Sequence, residues 1–119
     1  MLEKNKGIMR LFYAGLYSWQ GLKSAWANEA AFKQEVLLLF VMSAISFMFD
    51  VSAIERLAMI VSIVVILIVE LVNSAIECIV DRISTERHTL SGRAKDYGSL
   101  AVLLSVLIAM ATWLVILLS

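Results

Sequence analysis

No proline occurs anywhere in this chain, and cysteine and histidine occur once each. Without proline, nothing of that kind breaks its long apolar runs. The lone Cys78 excludes an intramolecular disulfide and leaves no cysteine cluster for a metal. Within a helix it reads as a small hydrophobe. Net charge is missing too: ten basic and ten acidic residues cancel, so bulk electrostatics gives no reason to expect nucleic acid or an acidic partner. No Walker-type Gly-x-x-x-x-Gly-Lys-Ser/Thr run and no kinase-type glycine loop is present. A nucleotide site here would need a different construction. The opening Met1-Leu-Glu-Lys-Asn-Lys-Gly lacks the apolar core and cleavage site of a secretory signal. Insertion is therefore expected to be directed by internal segments.

What the chain has in excess is hydrophobicity. At 61% apolar residues it is too apolar for a soluble domain of this size and reads as one small membrane domain, residues 1–119. The first segment, about residues 5–28, mixes Arg10, Gln20 and Lys23 with Phe12, Tyr17, Trp19 and Trp26. Its apolar content is too broken to span, and its aromatic and basic residues suit the headgroup level. It predicts an amphipathic surface helix, with packing on a soluble partner as the alternative. Membrane spans are predicted over about 30–49, 55–81 and 97–118. The uncharged run from Val36 to Phe49 is short for a hydrocarbon core of about 30 Å, so the first span must draw in Lys33 and Glu35 at the interface. Gly92 and the surrounding serines and threonines predict a turn or loop before the last span. Gly98, Ser99, Ala101, Ser105 and Ala109 supply small residues for close packing in lipid.

Basic residues fix an expected orientation. Lys4, Lys6, Arg10, Lys23 and Lys33 precede the first span, Arg82, Arg87, Arg93 and Lys95 separate the second and third, and the other side has only Arg56. The positive-inside rule puts the N-terminus in the cytoplasm and the C-terminus outside.

Inside the second apolar run stand Glu70, Asn73 and Glu77. Spacings of three and seven residues place them on one helical stripe. An ionised carboxylate at that depth costs at least roughly 2.5 kcal/mol on insertion scales, so it is expected to face protein or a wet cavity. Two readings stay open: a polar helix–helix contact, or chemistry. For chemistry, Glu77 and Glu29 lie at similar depth near the cytoplasmic face, beside Arg93, Lys95 and Asp96. One or two carboxylates with phosphate oxygens suit Mg²⁺, basic residues suit a polyphosphate, and a deeper Glu70 suits general-base work. The bland readings are a solvated charge cluster for Glu29, Lys33 and Glu35, a helix anchor for Asp81 and Arg82, and a solvated loop residue for His88.

Longer stretches carry a resemblance. Asn28-Glu29-Ala-Ala-Phe-Lys-Gln-Glu35, Val69-Glu70-Leu-Val-Asn73-Ser-Ala-Ile-Glu77, Val80-Asp81-Arg82 and Leu90-Ser-Gly-Arg-Ala-Lys95-Asp96-Tyr-Gly-Ser99, with Tyr17-Ser-Trp19-Gln-Gly21-Leu, resemble the bacterial integral-membrane diacylglycerol kinases. Gln20 and Val36 depart from the residues expected there, away from the chemistry. The resemblance implies an all-α membrane protein: a surface helix and three transmembrane helices, assembled as a homotrimer with shared active sites in the bacterial inner membrane. It implies ATP- and Mg²⁺-dependent phosphorylation of diacylglycerol to phosphatidic acid, with no nucleic acid involved.

By motif, Glu70 is the implied catalytic base, Asn73 an orienting residue, and Glu29 and Glu77 the Mg²⁺ ligands. Nucleotide contacts fall on Arg10, Tyr17, Glu29, Glu77, Glu86, Arg87, His88, Lys95 and Asp96. Lipid-substrate contacts fall on Arg10, Ala14, Trp19, Lys23, Trp26, Ala31 and Glu35, and on Arg56, Glu70, Ser99 and Trp113. Phosphorylation of undecaprenol by the same chemistry is the alternative, and proton-coupled transport or a purely structural membrane subunit are remoter ones. The Ala-Trp-Ala-Asn-Glu-Ala-Ala-Phe stretch (25–32) favours diacylglycerol.

Overall fold

A computed structural model describes residues 6–119, and Lys4 together with the expected helix start at residue 5 lies outside them. Four helices follow in order: α1 (Gly7–Asn28), α2 (Ala30–Ser46), α3 (Ala53–Ile83) and α4 (Thr89–Leu118). Between α1 and α2 a single residue, Glu29, leaves helical geometry at φ −114°, ψ 102°. Its N–H still donates to the Ala25 carbonyl at 2.9 Å, closing the last turn of α1. The break is therefore a sharp joint, which lets α1 change direction without a loop.

The α2–α3 connection is built from caps. Ser52 and Glu55 form a reciprocal capping box at the start of α3. Arg56 donates to the carbonyls of Ser46 (3.3 Å) and Phe49 (2.9 Å) and lies over the Phe47 ring. One side chain thus satisfies carbonyls that the end of α2 leaves open. Because the turn begins at Phe47, α2 has 17 residues, about 25 Å by helical rise. The apolar run continues to Phe49, but its last residues are turn rather than helix.

Among the described residues, α3 and α4, with 31 and 30 residues, are long and apolar enough to cross a membrane. α4 starts at Thr89, well before the expected span at residue 97. His88 caps it, its Nδ1 accepting from the Leu90 N–H at 3.1 Å. Gly92, Arg93, Lys95 and Asp96 consequently sit on helix, not in a loop. The cap offsets the turn-forming character of Ser91 and Gly92.

α3 lies in the middle, packed on α2 and on α4, while α1 touches α2 more lightly. Its buried positions are Met59, Ser62, Ile63, Ile66, Leu67, Glu70, Asn73, Ser74 and Val80, recurring at three- and four-residue intervals. The main core joins Met59, Ile63 and Ile66 to Ala109 and Trp113 of α4. A second cluster joins Ala25, Phe32 and Leu67 across the first three helices. Gly98, Ser105 and Ala109 bury against α3, as small residues in a close helix contact should. Large apolar side chains such as Phe40, Ile68, Leu104 and Val115 point outward, the surface a lipid-facing helix presents.

Candidate active site

The polar stripe of α3 faces inward. Glu70 is 8% exposed, Asn73 and Ser74 7% each. Ser74, one turn beyond Glu70, donates its hydroxyl to Glu70 Oε2 at 3.3 Å. From α2, Glu35 lies against Glu70. Its Oε1 is buried without a hydrogen-bond partner among the described residues, and so is Asn73 Oδ1. Glu35 and Glu70 are close enough to share a hydrogen bond, Ser74 adds a donor to Glu70, and Glu35 Oε1 and Asn73 Oδ1 stay without one. Buried acceptors without donors cost free energy, so this cluster is organised to receive something that brings protons or positive charge.

Asn73 is placed by α4. A Cβ built on Gly98 would overlap Asn73 Oδ1, so only glycine permits the approach that holds Asn73 beside Glu70. Asn73 and Gly98 also border a groove of about 260 Å³ lined by Ile68, Val69, Val72, Ile76, Tyr97 and Ala101. Its almost wholly apolar lining suits a molecule that is mostly hydrocarbon.

Farther along α3 the surroundings become wet and carry charges of both signs. A pocket of about 530 Å³ opens where α3 gives way to α4, between Val80, Asp81, Ser84 and Glu86 on one side and Arg87, His88, Gly92 and Lys95 on the other. Lys95 Nζ meets Asp81 Oδ1 at 2.8 Å. That bond and the Asp81 charge hold Lys95 above the ordinary lysine range, and Glu77 adds to the effect. Glu77 therefore lies within electrostatic reach of Lys95, on the half-buried edge of the same helix. Arg87, Arg93 and Asp96 are exposed nearby.

On α1, Arg10, Ala14, Tyr17, Trp19, Lys23 and Trp26 are all exposed. Tyr17 stacks on Tyr13 with centroids 6.2 Å apart. Lys23 lies 5.8 Å from the Trp19 ring centre and Lys33 5.7 Å from that of Trp26. Trp19, Leu22, Lys23 and Trp26 frame a shallow hollow of about 330 Å³. Cationic heads over aromatic faces fit the headgroup level.

Not every expected residue gathers here. Arg56 lies 14 positions before Glu70, about 21 Å away by helical rise, and its guanidinium is engaged by the α2–α3 turn. Trp113 is buried at that same end and donates Nε1–H to the Met59 carbonyl at 3.0 Å. Ala31 and Ser99 are exposed on the outer faces of α2 and α4. Among the described residues no three His, Cys, Asp or Glu side chains converge as a metal cage. Glu29 at the α1–α2 joint and Glu77 on α3 offer carboxylates singly. That donor set fits Mg²⁺ in its usual mode, with phosphate oxygens and water completing the shell.

Three features escaped the sequence reading. Ser74 as partner of Glu70 had a signal, its i+4 spacing on the same face. Asp81 as partner of Lys95 had none, since 14 residues and a helix break separate them. The fit of Asn73 on Gly98 is legible only once α3 and α4 are docked.

The family model for prokaryotic diacylglycerol kinase matches residues 16–117. The chain belongs to that family. It is 48% identical over 117 residues to a diacylglycerol kinase of Escherichia coli K12, covering 98% of this chain and 96% of that one. It is 45% identical over 112 residues to one of Haemophilus influenzae, covering 94% and 95%. A Helicobacter pylori J99 diacylglycerol kinase is 38% identical over 110 residues, covering 92% and 86%. Membership of this family makes the chain a kinase of apolar, membrane character, which requires a nucleotide co-substrate.

Proposed function

We propose that this chain transfers the γ-phosphoryl group of ATP to the primary hydroxyl of diacylglycerol, giving phosphatidic acid and ADP. The observation that carries the reading is the division of one helix. A buried carboxylate, Glu70, lies one turn from Asn73, which borders an apolar groove, and a wet, charged pocket opens about three turns further on. A lipid hydroxyl and a polyphosphate demand those two environments at one site.

In the step itself the hydroxyl oxygen forms a bond to the γ-phosphorus, the bond from that phosphorus to the ADP oxygen breaks, and the hydroxyl proton passes to Glu70. Asn73 orients the hydroxyl against Glu70. Lys95 balances polyphosphate charge, so catalysis rests on positioning and electrostatics. Glu29 and Glu77 would hold Mg²⁺, which supplies charge neutralisation on the phosphate oxygens. Arg10, Tyr17, Glu86, Arg87, His88 and Asp96 contact the nucleotide. Glu35, Ser99 and the α1 residues Ala14, Trp19, Lys23 and Trp26 guide the lipid, together with Ala31; Arg56 and Trp113 serve it from the far end.

The same reading takes α2 as a third, short span, with the apolar Phe47–Phe49 turn adding depth. It puts the N-terminus and the α3–α4 connection in the cytoplasm of a bacterial inner membrane. Three copies share sites, so that carboxylates offered singly by one chain meet those of a neighbour. The test is transfer of labelled γ-phosphate from ATP into lipid by purified protein in mixed micelles, with diacylglycerol and undecaprenol offered side by side. Labelled phosphatidic acid as the main product is expected. Label confined to undecaprenyl phosphate, or no label at all, would overturn the proposal.

A further inference from the structure

Five hydroxyl groups on these helices share a habit from which Ser74 departs. Ser46, Ser62 and Ser105 donate to backbone carbonyls three residues earlier, at 2.6, 2.6 and 2.7 Å. Ser18 and Thr112 donate to carbonyls four residues earlier, both at 2.8 Å. This back-bonding is the ordinary resting state of a helical hydroxyl. Ser74 instead donates to the Glu70 carboxylate, at 3.3 Å and in a buried setting.

We infer that Ser74 is a positioning residue for Glu70: its hydroxyl holds Oε2 so that Oε1 is presented to the acceptor hydroxyl. The inference rests on the reading of Glu70 as proton acceptor and deepens it. The physical need is clear from the surroundings. A glutamate side chain has three rotatable bonds, and this one ends among acceptors: Glu35 opposite and the Asn73 oxygen on the next face. The Asn73 oxygen cannot donate to it, and Glu35 can do so only while it carries a proton. Ser74 supplies the donor. Its spacing of four residues keeps it over Glu70 whatever the neighbouring helices do. With one carboxylate oxygen tied, the other keeps a fixed direction, which is what proton transfer in a positioned complex requires.

A residue that only filled space would act through packing; a positioning donor acts through turnover. Ser74→Ala, Ser74→Thr and Ser74→Cys should be purified with Glu70→Gln and assayed for kcat and for KM of both ATP-Mg²⁺ and diacylglycerol. Ser74→Ala is expected to lower kcat about fivefold, the rate equivalent of one hydrogen bond's net worth, with both KM values within about twofold of the parent's. Ser74→Thr, which keeps the donor, should recover kcat. Should Ser74→Ala fail to fold, Ser74→Cys against Ser74→Thr carries the comparison: near-equal bulk, but a weak donor against a strong one. A parental kcat in Ser74→Ala, or equal losses in the Thr and Cys variants, overturns the inference while inactive Glu70→Gln leaves the base assignment standing. Retained turnover in Glu70→Gln overturns the base assignment, and the role of Ser74 with it.

Discussion

The two halves of α3 are built on opposite principles. From Met59 to Leu67 its inward face is apolar and closed: Met59 is fully buried, packed with Ile63, Ile66, Ala109 and Trp113. The polar groups there are satisfied. The Met59 carbonyl accepts from the Ser62 hydroxyl at 2.6 Å and from the Trp113 indole at 3.0 Å. From Glu70 onward the same face carries Glu70, Asn73 and Ser74, with acceptor atoms of Glu35 and Asn73 left without donors. A helix under selection for stability alone would continue the first pattern. The second half accepts a cost that the first avoids, and such local conflict marks a functional site. The closed half fixes the docking of α4 on α3, and that docking places Gly98 against Asn73.

Mutations that exchange the character of the two halves should break this contrast in graded fashion. Glu70→Gln keeps shape and removes the proton acceptor, so turnover should fall by about 10²–10⁴-fold, the usual range for a general base, with thermal stability intact. Glu77→Gln should act on the nucleotide side. Its expected effect is a rise of about tenfold in the KM for ATP-Mg²⁺, on the order of the loss of one charged contact, with lipid KM unchanged. An unaltered Mg²⁺ dependence in that variant would count against Glu77 as a ligand.

Gly98→Ala tests how the halves are joined. The added methyl must displace Asn73 or part the helices, at about 1–3 kcal/mol, and activity should fall more than unfolding temperature explains. Trp113→Phe removes the indole donor to Met59. It should cost about 1 kcal/mol of stability, and an unchanged KM for diacylglycerol would assign Trp113 to the closed half instead of the lipid path. Asp81→Asn should do least, because the Asp81–Lys95 pair is exposed to solvent and screened. A modest change in ATP-Mg²⁺ KM that disappears at high salt is expected.

Much of this was written in local spacing. Three polar residues at intervals of three and four inside an apolar run determine a single stripe, so the placement of Glu70, Asn73 and Glu77 on one face was legible before any coordinates. The joint at Glu29 was legible too, from the change between a broken and a continuous apolar pattern. The end of α2 was not, because Phe47, Met48 and Phe49 are as apolar in a turn as in a helix. The start of α4 was hidden by Ser91 and Gly92, whose turn preference yields to the His88 cap and to continuation into an uninterrupted helix. Contacts between helices lay beyond local reading. Nothing near Asp81 or Asn73 in sequence announces Lys95 or Gly98.

The central claim is that the costly carboxylate in the open half of α3 is there to take a proton. Incorporation of labelled γ-phosphate into diacylglycerol by Glu70→Gln, measured beside its ATP binding and unfolding temperature, tests this most directly. The account predicts a folded, ATP-binding protein that transfers almost no label. A variant that transfers label at the parental rate would contradict it.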